Sequence, residues 1–313
     1  MEANKLLIRR RTVLDYLAII FCVICIAFLA VIMFLSLKLH RVKVNAEMNS
    51  ATEEVDKKFV MEIEDGLKNE EFKMYLQFVV DNKTKKIVSA EALSRWQKEP
   101  GQILTPGAYI GVMETSGQIV KLDYYMFEKA CGKLAQWKGT DLEKLTLSCN
   151  FTRITISEKD FVSKIQKIAD KYDFERRKLL LEITEDSIEK NLAVAMNNII
   201  HVKQLGFRIA VDDLGSGFTS LMNLCEYPIH VVKIDRALFL KTRDEKGKKL
   251  FRGLVSLAHD LNLTVVCEGV ETEEQERFVT ETNCDYIQGW YYSRPLPEQE
   301  AEAFARAYLE KLS

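Results

Sequence analysis

The 313 residues carry 44 Lys and Arg against 46 Asp and Glu, a formal net charge of −2. This balance excludes a general nucleic-acid binder, which concentrates a basic excess, so no DNA or RNA polymer is an expected partner. At 47% hydrophobic and 29% charged, with only 5 Pro and 14 Gly, the chain is neither disordered nor collagen-like. Its seven cysteines show no regular spacing. Cys22 and Cys25 fall in an apolar run, and Cys131, Cys149, Cys225, Cys267 and Cys284 are scattered singly, as expected of reduced, buried thiols rather than a disulfide framework.

In chain order, the first element is a short tail, residues 1–15. From Tyr16 to Leu37 no residue is formally charged, a run close to the ~20 residues that span a bilayer as a helix. It is longer than a signal-peptide core and lacks a small-residue cleavage site, which predicts an uncleaved membrane anchor. Lys5, Arg9, Arg10 and Arg11 flank one end and Lys38, Arg41 and Lys43 the other, a charge bias that weakly prefers a cytoplasmic N-terminus. Residues 38–58 read as a polar helical stalk, without a sustained heptad pattern. No further sensory domain is expected on either side of the anchor.

Residues 59–313 are close to the ~250 typical of a (β/α)8 barrel. Eight β-branched, apolar runs are predicted as strands: Met74–Val80, Lys86–Ala90, Lys144–Cys149, Lys178–Ile183, Arg208–Val211, Val231–Ile234, Thr264–Cys267 and Tyr286–Ile287. Amphipathic helices are predicted over Leu122–Trp137, Phe161–Tyr172, Leu192–Leu205, Phe251–Leu261 and Glu273–Thr282. Alternation of this kind implies a largely parallel sheet, with a doubly wound open sheet as the alternative.

Polar residues close seven of the eight strands: Glu91, Asn150, Glu182 with Glu185, Asp212 with Asp213, Lys233 with Asp235, Glu268 with Glu271, and Gln288. In a barrel these carboxyl ends converge on one face, where active sites are built. So many carboxylates would repel one another unless cations sat among them, and hard oxygen ligands suit Mg2+ or Mn2+.

At these residues the chain resembles the EAL family of cyclic di-GMP phosphodiesterases. The motifs stand as Glu91-Ala92-Leu93, continuing to Arg95-Trp96, then Leu147-Ser-Cys-Asn150, Leu181-Glu-Ile-Thr-Glu185 and Val211-Asp-Asp-Leu-Gly-Ser-Gly-Phe218. Val232-Lys-Ile-Asp235, Cys267-Glu-Gly-Val-Glu-Thr272 and Ile287-Gln-Gly-Trp-Tyr-Tyr-Ser-Arg-Pro-Leu-Pro297 follow in the family's order. The resemblance implies a TIM-like barrel that hydrolyses cyclic di-GMP to linear pGpG with two divalent cations. It places Glu91, Asn150, Glu182 and Asp212 on the first metal, and Asp212, Asp213 and Glu268 on the second. Two metals about 3.5–4 Å apart can activate a water and clamp the scissile phosphate. Lys233 would orient that water or stabilise charge on the phosphate, which makes Lys233, Glu268 and Glu91 the expected catalytic set.

Arg95, Gln77 and Gln288 are the expected substrate contacts. Glu185 and Glu271 would fix loops, and the loop carrying Gly215 and Gly217 would couple the metals to a homodimer interface. Asp235 reads as a cap. Departures from the family pattern are Gln77-Phe78 where Gln-Pro is usual, Ser89-Ala90 where a Gly is frequent, and Leu214 and Ser216 for Phe and Thr; none removes a ligand. His259-Asp260 lacks the additional His ligands of the His-Asp metal phosphodiesterases. Trp290, Tyr291 and Tyr292 are candidates for stacking on guanine or for closing the barrel. No Gly-Gly-Asp-Glu-Phe cyclase signature occurs. An intracellular substrate and reduced cysteines place the barrel in the cytoplasm, against the weak charge bias. A catalytically silent cyclic di-GMP receptor and a barrel acting on another phosphodiester are the rival readings.

Overall fold

The computed structural model describes residues 38, 57–99, 101–184, 192–214, 224, 227–241 and 244–311. The chain divides into two units, 1–61 and 62–313. Of the first, Lys38 and residues 57–61 are described, all helical. The expected anchor Tyr16–Leu37 lies outside the described residues, as do Glu185, Gly215 and Gly217; among the described residues no helix is long and apolar enough to cross a membrane.

The second unit is a closed barrel. Its strands are β1 (Phe72–Asp81), β2 (Ile87–Glu99), β3 (Gln102–Leu104), β4 (Thr146–Phe151), β5 (Leu179–Thr184), β6 (Arg208–Leu214), β7 (Val231–Ile234), β8 (Thr264–Cys267), β9 (Tyr286–Gln288) and β10 (Leu296–Pro297). β2, β4, β5, β6, β7, β8 and β9 pair in parallel, and β1 closes the ring by pairing with both β2 and β9. Short strands β3 and β10 add to the outer ends of β2 and β1. Every residue of β7 is buried, and only Thr184 of β5 is not. Such continuous burial, broken in character only by Glu182 and Lys233, marks strands covered on both faces.

Two expectations change here. β1 runs antiparallel to both its neighbours, because only a tight turn separates it from β2 and a parallel crossover needs a dozen or more residues. That turn is organised by Asp81, whose Oδ1 accepts from the Lys83 and Thr84 amides at 3.1 and 2.6 Å. Strand β2 also continues far past Ala90, since β1 pairs with it from Val80↔Ile87 through to Phe72↔Trp96. Trp96 is fully buried, stacks on Phe72 at 5.1 Å, and meets Tyr109 edge-on. Glu91 therefore sits in mid-strand, but near the last β2–β4 pair, Ala92↔Cys149, and so at the rim of the parallel part.

The helices are α1 (Ile110–Ser116), α2 (Ile119–Trp137), α3 (Arg153–Ile156), α4 (Phe161–Ala169), α5 (Leu192–Gln204), α6 (Arg236–Leu240), α7 (Glu245–Asp260), α8 (Glu273–Thr280) and α9 (Glu298–Lys311). α7 starts six residues before its predicted start because Asp244 caps it, accepting from Gly247 N at 2.7 Å. α8 opens with a capping box between Thr272 and Gln275, which satisfies amides the helix cannot pair itself. Beneath the carboxyl rim, Val79, Leu180, Ala210, Val231 and Val266 fill the barrel interior, with Tyr286 against them. This apolar layer is the floor of the polar site. Cys131, Cys149, Cys267 and Cys284 are free and buried, as expected of reduced thiols.

Candidate active site

Side chains alternate faces along a strand, so the residues that point inward at the carboxyl rim are fixed by parity. Glu91 on β2, Asn150 on β4, Glu182 on β5, Asp212 on β6, Lys233 on β7 and Gln288 on β9 all meet there. Lys233, only 2% exposed, is the hub. Its Nζ lies 2.6 Å from Glu268, 3.0 Å from Glu182, and 3.3 Å from both Glu91 and Asp212. Asn150 Nδ2 donates to Glu91 Oε1 at 2.8 Å, and Gln288 Nε2 donates to Glu91 Oε2 at 2.7 Å.

Two groups of carboxylates are close enough to share a cation. Glu91, Glu182 and Asp212 form one, and Asp212, Asp213 and Glu268 the other; within each, one ligand oxygen per residue lies within 4.8 Å of the rest. Asp212 belongs to both. A regular strand would turn Asp213 away from the site. Instead, the β6–β7 register shifts between Val211 and Leu214, and Asp213 adopts a left-handed backbone, φ 60°. This bulge admits two consecutive side chains to one site, and Asp is among the few residues that tolerate the conformation.

The electrostatics are those of a site short of positive charge. Burial pushes Glu268 up to about 8 and Asp213 up to about 6, the latter helped by Asp212. Burial and then Glu91 hold Glu182 well above the carboxylate range, and burial raises Asp212 despite Lys233. Glu91 alone goes down: burial opposes its ionisation, but Lys233, Gln288 and Asn150 outweigh it. Burial would likewise depress Lys233, yet the surrounding carboxylates hold its ammonium well above the ordinary value. Five carboxylates around one ammonium form a donor set that fits hard divalent cations.

A groove of about 870 Å³ and a smaller depression of about 250 Å³ open at the rim and meet at Asp212. Asn150 and Asp213 line the first; Gln77, Glu91, Glu268, Glu271 and Gln288 line the second. Gln77 faces Glu91 across the β1–β2 ladder and donates to the Ser293 carbonyl at 3.3 Å. Gln288 Oε1 is buried without a hydrogen-bond partner among the described residues. Glu271 pairs with Arg236 at 2.9 Å, tying the β7 and β8 loops together. Asp235 caps α6, accepting from Ala237 N at 2.7 Å.

Arg95 shares a strand face with Glu91 but lines neither depression; it donates to the Ser94 carbonyl and lies 5.6 Å from the Tyr75 ring centre. Trp290 is half-exposed on the smaller depression, with Arg294 4.2 Å over its ring. Tyr292 donates to Glu276. His259 contacts Asp285 at 2.9 Å, and the same Asp285 oxygen accepts from Val265 N at the start of β8.

Three contributors escaped sequence reasoning. Arg236 lines the smaller depression. Ser293 Oγ accepts from the buried Phe78 amide at 3.0 Å. Asp123, only 7% exposed, lines the larger groove. Its signal was a charged residue on the apolar face of the Leu122–Trp137 helix.

The EAL domain family model matches residues 61–295. The chain belongs to the EAL-domain family. This EAL domain is 32% identical over 248 residues to the signaling protein YkoW of Bacillus subtilis, covering 78% of this chain and 30% of that protein. It is 28% identical over 248 residues to the cyclic di-GMP phosphodiesterase NbdA of Pseudomonas aeruginosa, covering 79% and 32%. The chain thus spans about a third of the length of these curated relatives. Among solved structures it superimposes on the PaMucR phosphodiesterase in complex with c-di-GMP with a TM-score of 0.74 at 25% identity, covering 78% and 99% of the two chains. An EAL domain protein from Listeria monocytogenes gives 0.70 at 31% identity, covering 78% and 96%.

Proposed function

We propose that this EAL domain hydrolyses one phosphodiester bond of cyclic di-GMP, releasing linear pGpG and lowering the messenger's concentration. The observation that carries the reading is the pair of carboxylate groups joined at Asp212, beside a groove large enough for a dinucleotide. The phosphodiesterase NbdA and the c-di-GMP complex of PaMucR support the substrate class.

Glu91, Asn150, Glu182 and Asp212 would hold one divalent cation, Mg2+ or Mn2+, and Asp212, Asp213 and Glu268 a second. Bound there, the cations supply a more acidic attacking water and neutralise charge on the phosphate oxygens. Opposite charge nearby favours ionised carboxylates, so the raised Glu182, Asp212, Asp213 and Glu268 become anionic ligands as the site fills. Lys233 keeps its proton, orients the attacking water and stabilises oxygen charge in the transition state. Gln288 holds Glu91 in place with its amide nitrogen and offers its unpartnered Oε1 to the substrate. Gln77 and Trp290 line the adjoining wall, and Arg95 approaches a substrate phosphate by swinging from Tyr75.

The same reading carries a homodimer through the barrel, with the loop of Gly215 and Gly217, pinned by Glu185, linking interface to site. It also carries a single span, Tyr16–Leu37, that holds the barrel on the cytoplasmic side of the membrane. A reporter fused at Ser313 that is active only outside the membrane overturns the orientation, and a monomeric sedimentation profile overturns the dimer.

The decisive assay incubates the full chain with cyclic di-GMP and Mg2+ or Mn2+. Metal-dependent pGpG that disappears with chelator and in Glu91→Ala is the expected result. Tight binding without product assigns a silent receptor instead, and neither binding nor product removes cyclic di-GMP as the ligand.

A further inference from the structure

Asp123 is a buried carboxylate that the hydrolytic scheme leaves unused. It lies on the packed face of α2 beside Leu122 and close to Met126 and Phe127, where a charge is costly unless it is well bonded. Its Oδ2 accepts three hydrogen bonds: from Thr152 N at 2.9 Å, Thr152 Oγ1 at 2.8 Å and Thr155 Oγ1 at 2.6 Å. Among the described residues it has no ion pair with a Lys, Arg or His. The donors belong to the segment that leaves β4. Thr152 follows β4 by one residue, and Asn150 donates from that strand to Glu91. A chain of bonded groups therefore runs from α2, through the 152 backbone, to Asn150 and Glu91.

Two effects follow at the cation centre. Pinning Thr152 at both its amide and its hydroxyl restricts the backbone two residues from Asn150. That keeps the Asn150 amide turned with its nitrogen on Glu91 and its oxygen available to a cation. The negative charge, buried on the wall of the groove that Asn150, Asp212 and Asp213 also line, adds to the attraction for a cation across a medium that screens poorly.

We propose that Asp123 is a positioning residue for the divalent-cation centre, setting Asn150 through Thr152 and strengthening cation retention by its charge. The inference rests on the metal reading above. It differs from a purely structural cap on α3, which would leave cation affinity unchanged.

The test is Mn2+ binding to the substrate-free full chain, followed by the electron paramagnetic resonance signal of free Mn2+, with thermal melts of the metal-free proteins beside it. Asp123→Asn is expected to weaken Mn2+ binding about 10- to 100-fold, the range found when groups supporting a metal ligand are removed. Its metal-free melt should be no lower than wild type, since a buried charge has gone. Thr152→Val, which loses one of the three bonds, should weaken binding by a smaller factor, and Thr152→Ser should restore it. Mn2+ affinity within twofold of wild type in Asp123→Asn overturns the proposal. Where Asp123→Asn does not fold, unchanged affinity in Thr152→Val overturns it. A wild-type chain that takes up no Mn2+ overturns the metal reading itself, and with it this inference.

Discussion

Asp212 and Asp213 are consecutive on β6, yet both carboxylates approach that of Glu268, because the strand bulges and Asp213 is left-handed. The pair can be taken apart by substitution. Asp213→Asn keeps a residue that accepts this backbone and removes only the charge. Pre-steady-state and steady-state pGpG formation should fall on the order of 10²-fold or more, since a metal supplies several kcal/mol of charge stabilisation, with little change in melting temperature. Asp213→Val should lose activity equally and also lose stability, by roughly 1–2 kcal/mol for a left-handed β-branched residue. Equal melting temperatures for the two variants would count against a strained bulge.

Among the described residues, four carboxylates converge on the Lys233 ammonium at 2.6–3.3 Å. Lys233→Met should lower metal-free stability by about 3–5 kcal/mol, as when one partner of a buried ion pair is removed. The deficit should shrink at acid pH, where the carboxylates take up protons, and also on adding Mg2+. Urea unfolding at pH 5 and pH 8, with chelator or with Mg2+, measures all four states. A deficit independent of both pH and metal would contradict the charge argument.

Asp123 and Asp213 titrate near 6 and Glu268 near 8 in the folded chain, each above its unfolded value. The native state then holds more protons than the unfolded state between those values, so metal-free stability falls as pH rises from about 4 to about 8. Divalent cations would replace the protons on Asp213 and Glu268, and their stabilising effect grows over the same window. Melting temperatures at pH 5, 7 and 9 with and without Mg2+ should therefore diverge with pH; a constant gap would refute the assignment.

Ser293 bonds both the Phe78 amide and, through its carbonyl, the Gln77 side chain. Where the family usually has Pro after this Gln, Phe78 supplies an N–H and stacks on Phe304 at 5.7 Å. Ser293→Ala leaves that buried amide unpaired, at a cost of about 1–3 kcal/mol; the carbonyl that accepts from Gln77 stays, but the segment carrying it loses its tie to β1, so the Gln77 wall shifts. Steady-state kinetics should show a raised KM with kcat little changed, the signature of lost uniform binding. A fall in kcat alone would move Gln77 from binding to chemistry.

Much of this site was legible because barrel parity converts a polar residue at a strand end into an inward-facing group. Glu182 and Lys233, each flanked by buried aliphatics, read as polar groups turned inward at the strand ends. What escaped depended on partners distant in sequence. β2 was cut short at Ala90 because its continuation through Glu91, Arg95 and Lys98 looks polar, and only the β1 ladder keeps it extended. Neither the bulge that turns Asp213 inward nor the position of Arg95 beside Tyr75 leaves a periodic trace. Asp123 did leave one, a lone acid on an apolar helix face, but its Thr152 partner becomes apparent only when α2 packs against the end of β4.

The pairing of β1 with both β2 and β9 also sets an order of events. The hairpin of β1 and β2 is local and can form early, whereas β1 cannot meet β9, nor Gln288 reach Glu91 across 197 residues, until nearly the whole domain has been synthesised. Non-local closure of this kind is slow, and until it occurs β1 presents an unpaired edge of the sort that recruits other chains. The wall that Gln77 and Gln288 line is thus the last part of the candidate site to form. A nascent chain stalled before Tyr286 would carry all six proposed cation ligands in an open sheet exposed to aggregation, which makes β9 a checkpoint for maturation.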